Sequence, residues 1–418
     1  MAARSEKLGL YISIPFCRSK CTYCNFASGV YPASEHERYV ERAIEDLRSA
    51  GGWAQGLDVV LPRRVDTIYL GGGTPSLLEP ELIERLFAAL RAEFDVERDA
   101  EITVECAPGQ VGDGTLAAMA AAGVNRVSLG VQSFIDREAH LSGRLHTRAK
   151  VLEDLRRLRR VGITNLNLDL IAGLAGQTFA SWEESLAVLV EADVPHASVY
   201  MFEVDEDSRL GREMISGGAR YHADVVPTDD AMARMYEAAI ETLAEAGLKQ
   251  YEISNFARDG FASRHNVRYW KRRSYLGLGL DASSALPIHG ANTFGSGGEA
   301  KAFLRATTTD DLKAYLAGSS VAETTWLNGE QQHEEAWFLG LRMNAGVEFA
   351  AMTAEFGGER VARALGVVEN LVGRGLMESD GKEARLTALG RLLSNDVFQE
   401  FLELDKAVAG AEHVSAVI

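Results

Sequence analysis

Three thiols fall within eight residues, Cys17, Cys21 and Cys24, in the spacing C-x3-C-x2-C, and the one other cysteine, Cys106, lies far along the chain. Secreted disulfide frameworks spread their cysteines in pairs, so this crowding is not a staple pattern. Three unrelated thiols are one reading, which so tight a group at the end of the apolar stretch Leu8–Phe16 makes improbable. Structural zinc is a second, but it takes four ligands, and a fourth would have to come from Cys106 or a histidine such as His36. An iron–sulfur cluster is a third: four cysteines close every iron of a cubane, whereas three leave one iron open to a substrate or cofactor.

Further polar groups recur at the ends of apolar stretches. Gly71-Gly72-Gly73-Thr74-Pro75 follows one of them, and glycines there let the backbone approach a ligand closely. Glu105, Gln132, Arg144 and Asp169 each stand at or just beyond a later one. A carboxylate can hold ribose hydroxyls, and a guanidinium can grip a carboxylate with two parallel hydrogen bonds.

The elements that must carry these groups alternate. Strands are expected at 8–14, 65–70, 101–106, 125–131, 165–171, 196–202 and 250–254. Between them the spacing predicts helices from Ser34, capped by Glu37 and stopped by Gly51-Gly52, then over 80–91, 115–122, 148–161, 181–191 and 228–246. Such alternation means a parallel sheet. In Asn165–Ile171 the residues Leu166, Leu168 and Leu170 alternate with Asn165, Asn167 and Asp169, so one face is oily and the other polar. That suits a wide interior lumen, and we expect a partial (β/α) barrel with its chemistry at the C-terminal strand ends. Residues 1–275 form this part and 276–330 connect it onward. Residues 331–418 carry helices, two short strands near 376–378 and 384–386, and a last helix over 387–402, the pattern of a small winged-helix-like α+β domain. Acidic residues there, among them Glu378, Asp380 and Glu383, favour protein docking or a lid over DNA.

The net charge of −17 over 418 residues makes polyanions poor partners, so no nucleic acid is expected. No apolar run reaches the ~18–20 residues that span a bilayer. Pro15-Phe16 before Cys17 is wrong for a signal-peptide cleavage site, which points to the cytoplasm.

Cys17-Arg18-Ser19-Lys20-Cys21-Thr22-Tyr23-Cys24 resembles the CxxxCxxC motif of radical S-adenosylmethionine enzymes, aromatic Tyr23 included. The resemblance implies a [4Fe–4S] cluster on Cys17, Cys21 and Cys24, with S-adenosylmethionine chelating the open iron and yielding a 5′-deoxyadenosyl radical. It implies that Gly72, Gly73 and Thr74 meet the methionine amine. The segments around Tyr11, Glu105, Gln132, Arg144 and Asp169 are similar to the oxygen-independent coproporphyrinogen III oxidases and their heme-chaperone relatives, which implies cofactor contacts for all five. Segments 251–257, 265–270 and 385–398 look like the heme-chaperone branch. Phe26 stands where the oxidases have a fourth cysteine, and the first strand begins by Leu8, without their N-terminal extension.

This branch implies heme as a third cofactor, with His265, Asn266, Tyr269 and Trp270 as the heme segment, a heme-acceptor protein and an electron donor as partners, and membrane association no stronger than partners provide. Asp281 replaces a family glycine and Ser283 a family histidine, whose place His289 is near enough to take. Radical decarboxylation of a porphyrinogen is the alternative activity. RNA modification, common among radical S-adenosylmethionine proteins, fits the charge poorly. No catalytic residue is assigned.

Overall fold

The computed structural model describes residues 7–288 and 303–402. The chain divides into two compact units, one of Met1–Arg268, Arg273–Leu286 and Leu304–Thr325, the other of Tyr269–Arg272, Pro287–Phe303 and Trp326–Ile418.

The first unit is built on a twelve-stranded sheet. Its strands are β1 (Leu8–Ile14), β2 (Arg64–Gly72), β3 (Asp95–Cys106), β4 (Arg126–Gln132), β5 (Asn165–Ala172), β6 (His196–Met201), β7 (Lys249–Glu252), β8 (Asn255–Ala257), β9 (Tyr275–Leu278), β10 (Ser283–Pro287), β11 (Phe303–Thr308) and β12 (Val321–Leu327). They run in the order β12-β11-β10-β9-β1-β2-β3-β4-β5-β6-β8-β7, with β1 to β6 parallel and β9 parallel to β1. The two ends of the sheet do not pair, so the barrel is open, as expected from the sequence. The residues after 276, read there as a connection, extend the sheet through β10, β11 and β12.

The alternation in β5 works as its pattern predicts. Leu166, Leu168 and Leu170 are fully buried, while Asn167 and Asp169 face the inner cavity. The outer face meets helices such as Arg148–Arg160, which buries Val151, Leu155 and Leu158.

Local signals failed where tertiary packing outweighed them. The helix Ser34–Gly56 runs through Gly51-Gly52 because its buried stripe continues in Ala50 and Ala54. Two exposed helical glycines cost about 1 kcal/mol each, which that packing offsets. Its N-cap is Ala33 with no side-chain cap, and Glu37 pairs with Arg85 at 3.1 Å instead of closing a capping box. The strand expected at 250–254 is the hairpin β7–β8, antiparallel at the sheet edge.

The second unit carries helices Gly329–Leu341, Phe349–Phe356 and Gly358–Gly373, and a three-stranded sheet of β13 (Val347–Glu348), β14 (Met377–Ser379) and β15 (Glu383–Leu386) in the order β13-β15-β14. This is the winged-helix-like arrangement. Its core stacks Trp337 on Phe401, with ring centroids 5.1 Å apart. The single last helix expected from the sequence is two, Ala388–Leu392 and Ser394–Gln399, broken at Leu393.

Candidate functional site

The cysteine loop leaves the C-terminal end of β1 and is clamped at both ends. Cys17 N–H donates to Gly29 O and Gly29 N–H to Pro15 O, each at 2.8 Å. Its middle is held by distant segments: Thr22 N–H donates to Ser142 O at 3.0 Å, Ser19 Oγ to Gly143 O at 3.1 Å, and Arg209 to Lys20 O. Leu210 N–H donates to Thr22 O at 2.8 Å. Tyr23 packs on an apolar cluster of Ile171 at the end of β5, Leu174, Phe202, Leu210 and Met232. The loop is therefore rigid before any cofactor arrives.

Cys17, Cys21 and Cys24 line one wall of a cavity of about 300 Å³ at the C-terminal ends of the parallel strands. Burial raises the Cys17 thiol pKa, against hydrogen bonds from Thr74 and Ser28. Cys106 is 4% exposed, and burial pushes its thiol up to about 12. Among the described residues no three Cys, His, Asp or Glu side chains converge as a single metal ion requires. Three thiols of one loop lining one cavity suit separate irons of a cluster instead.

The glycine turn abuts that wall. Gly73 N–H donates to Ile14 O at 2.8 Å and Thr74 N–H to Phe16 O at 2.7 Å. A Cβ on Gly73 would lie 2.8 Å from both Ile14 O and Phe16 O. Thr74 Oγ1 stands 3.8 Å from Cys17 Sγ.

Glu105, Gln132, Arg144 and Asp169 all reach the same cavity. Glu105 accepts from Tyr69 Oη at 2.7 Å. Asp169 accepts from Ser128 Oγ at 3.0 Å and Asn167 Nδ2 at 2.7 Å. Burial raises the Asp169 pKa against those bonds. Arg144 Nε donates to Tyr23 Oη at 3.1 Å. Burial opposes its charge, but Tyr23, Cys21 and Asp169 hold its pKa above the usual arginine value. Gln132 sits at φ 67, in the left-handed region, where β4 shifts register against β5. Such strain in a non-glycine residue marks functional positions. Its Oε1 is buried without a partner, a ready acceptor for a ligand donor. Three thiols, a close-approach glycine turn and an orphaned acceptor fit a cluster with S-adenosylmethionine beside it.

Tyr11 does not line the cavity. It stacks behind Tyr69, with centroids 6.1 Å apart, and supports that residue's hold on Glu105. Tyr69, Ser128, Ser198 and Tyr200 line the cavity and were not singled out from the sequence; Asn167, read there on the polar face of its strand, lines it too. The inward parity of their strands was the available signal.

Of the heme segment, Asn266 lines the cavity. His265 is 1% exposed, its Nδ1 is 2.9 Å from Thr67 Oγ1, and its ring stacks on Tyr69. Burial, with Arg268 and Arg126 nearby, lowers its pKa to about 3, so the ring is neutral. Tyr269 and Trp270 belong to the second unit, where Arg342 lies over the Trp270 ring at 4.4 Å. Asp281, in place of a family glycine, keeps a left-handed φ of 52. Ser283 is exposed, and His289 lies outside the described residues.

Glu105 makes the cofactor-free chain sensitive to pH. Burial raises its pKa to about 7, against the Tyr69 bond. The folded state therefore holds a proton that the unfolded chain has released, and stability falls as pH rises through about 4.5–7. The loss is at most about 3 kcal/mol at 1.36 kcal/mol per pK unit. Glu105→Gln should melt well above the parent at pH 8 and nearly with it at pH 5. Equal melting differences at both pH values would disprove the assignment.

The radical SAM superfamily pattern matches residues 11–189, and the HemN C-terminal domain pattern matches residues 327–393. The protein named heme chaperone HemW of Lactococcus lactis subsp. lactis (strain IL1403) is 32% identical over 400 residues, covering 94% of this chain and 96% of that protein. The chain belongs to the HemW family of radical SAM proteins. Another member, heme chaperone HemW of Bacillus subtilis (strain 168), is 32% identical over 94% of this chain and 98% of its own length. The HemW fold seen here is shared with the solved coproporphyrinogen III oxidase (HemN) from Escherichia coli, with a TM-score of 0.78 and 24% identity over 95% of this chain and 90% of that one. Family membership implies a cluster and S-adenosylmethionine. Among the described residues no helix is long and apolar enough to cross a membrane.

Proposed function

We propose that the chain is a heme chaperone. It holds a [4Fe–4S] cluster on Cys17, Cys21 and Cys24 and binds S-adenosylmethionine along Gly72, Gly73, Thr74, Glu105, Gln132, Arg144 and Asp169. It also takes heme near the cavity and passes it to an acceptor protein. The observation that carries this reading is one cavity lined by all three thiols and by those polar groups. When bound, the cluster supplies single electrons at that wall, delivered by a partner donor. Tyr23 fixes Arg144, Tyr69 fixes Glu105, and Ser128 with Asn167 fixes Asp169, so the cofactor meets groups already oriented. Asn266 is the nearest heme contact of its segment, and His265 positions that helix through Thr67.

Residues 1–275 make up the cofactor-binding part, 276–330 extend its sheet through β10, β11 and β12, and 331–418 form a docking domain for the acceptor. The setting is cytoplasmic. Phe26, 57% exposed on the cavity rim, stands in place of the oxidases' fourth cysteine and favours chaperone over oxidase.

Anaerobic reconstitution followed by heme titration tests the reading. We expect about one heme per chain and no conversion of coproporphyrinogen III. Decarboxylation with stoichiometric 5′-deoxyadenosine would establish the oxidase instead.

A further inference from the structure

Arg126, at the first position of β4, points its side chain into the cavity and is 1% exposed. Among the described residues it makes no side-chain hydrogen bond or ion pair, and its Nε is buried without a partner. A buried charge is costly unless paired. Elsewhere the fold saturates such a group: Arg268, 2% exposed, donates to Thr67 Oγ1 at 3.2 Å, to Lys7 O at 3.0 Å, to Ser274 O at 2.8 Å and to Asp66.

The acids that could neutralise Arg126 are committed to other groups. Asp169 is held by Ser128 and Asn167, and Glu105 by Tyr69. Glu101 accepts the backbone N–H groups of Arg264 and His265, at 2.9 and 3.0 Å. The field of Arg126 is felt by its neighbours: burial first, and then this charge, lowers the His196 pKa well below its usual value.

The flanking strands add two more unsatisfied groups. Arg126 is in register with Thr103 on β3 and Asn165 on β5. Thr103 Oγ1 and Asn165 Oδ1 are both buried without partners. A hydroxyl, a guanidinium and a carboxamide thus stand side by side across three strands. The amide can present its nitrogen as readily as its oxygen, since the two are assigned from the network. Together they supply the donors a carboxylate takes up: a guanidinium fork, a hydroxyl and an amide.

We propose that Arg126, with Thr103 and Asn165, is an anchor for a ligand carboxylate on the floor of the lumen. Arg126 stands six residues before Gln132 on its strand, about 20 Å at the rise of a parallel strand. The anchored group is therefore one that reaches deep below the cysteine wall. A tetrapyrrole carries such a carboxylate, as a propionate, whereas the methionine carboxylate of S-adenosylmethionine shares a carbon with the amine placed at Gly72–Thr74 and stays at the cysteine wall. This source rests on the heme reading above.

The test uses the reconstituted full chain and two variants. Arg126→Met keeps length without charge, and Arg126→Lys keeps charge without the fork. S-adenosylmethionine affinity is measured by equilibrium dialysis. Heme and heme dimethyl ester, whose propionates are capped, are titrated in parallel. Arg126→Met should weaken heme at least tenfold and leave S-adenosylmethionine unchanged, with Arg126→Lys recovering part of the loss. The dimethyl ester should bind parent and Arg126→Met alike. Weakened S-adenosylmethionine with unchanged heme overturns the proposal. The cofactor-free Arg126→Met chain should melt at or above the parent's temperature, because an unpaired buried charge has been removed. Unchanged heme affinity in Arg126→Met overturns the proposal. So does a lower melting temperature with loss of the cluster, which would make Arg126 structural. A parent that binds no heme overturns the chaperone reading and this proposal with it, whereas a parent that binds heme with Arg126→Met unchanged overturns this proposal alone.

Discussion

Changing Cys17, Cys21 or Cys24 to alanine, one at a time, is expected to abolish the iron–sulfur absorbance after anaerobic reconstitution, while Cys106→Ala retains it. The three thiols share one cavity wall on a loop clamped at Pro15, Gly29 and Ser142. Losing one thiolate leaves an iron without its protein ligand, and Phe26, the next lining residue of the loop after Cys24, offers no donor in its place. Cys106 lines the same cavity, but burial keeps it a thiol, pushed up to about 12, and its Sγ lies 3.9 Å from Val104 O. A protonated core thiol is a poor metal ligand. Iron and sulfide content per chain, read beside the absorbance, gives the result. Equal loss of iron in the Cys106 variant would mean four-cysteine ligation and no open iron.

The second large effect falls on a glycine. Gly73→Ala would put a Cβ 2.8 Å from two carbonyl oxygens and 2.9 Å from Pro15 C, all of them backbone. Backbone at the end of a central strand cannot swing aside as a side chain does, so β1 or the turn must move. Overpacking of this kind costs about 1–3 kcal/mol. Here the displaced segment carries Cys17, so cluster retention should fall as well. Gly51→Ala is the matched control. A Cβ there meets nothing within 4 Å, in the middle of a helix. That change should stabilise by about 0.5–1 kcal/mol. Thermal melts and iron per chain separate the two variants. If Gly73→Ala keeps full iron and the parent's melting temperature, the close approach is not a constraint.

How much of this was visible in the residues depends on range. Alternating strands and helices show in local periodicity, and β1 to β6 fall where the pattern puts them, within a few residues apart from an earlier start to β3. The cysteines and the groups on Glu105, Gln132, Arg144 and Asp169 were also legible, because strand ends in a parallel sheet face one way. What depended on distant neighbours was not. Nothing in the residues around Gln132 announces a left-handed φ, which comes from the register shift between β4 and β5. Tyr11 looked like a cofactor contact, yet it stands behind Tyr69 because β1 and β2 pair those two tyrosines side by side. His265 was read as part of a heme segment, and the structure turns it inward onto Thr67. Arg126 gave no signal at all, because isolation of a charge is a property of everything around it.

The clamps on the cysteine loop also set an order of events during synthesis. Cys17, Cys21 and Cys24 leave the ribosome early, but the groups that fix their loop come much later. Thr22 waits for Ser142, 120 residues downstream, and Lys20 for Arg209, 189 residues downstream. At about 5–20 residues per second, the second delay is about 10–40 s. Through that interval the three thiols are on an unfixed segment, open to stray metal and oxidant. The loop takes its final form only once β6 and the helix after it exist, so the cluster must be installed after half of the sheet's twelve strands have been made.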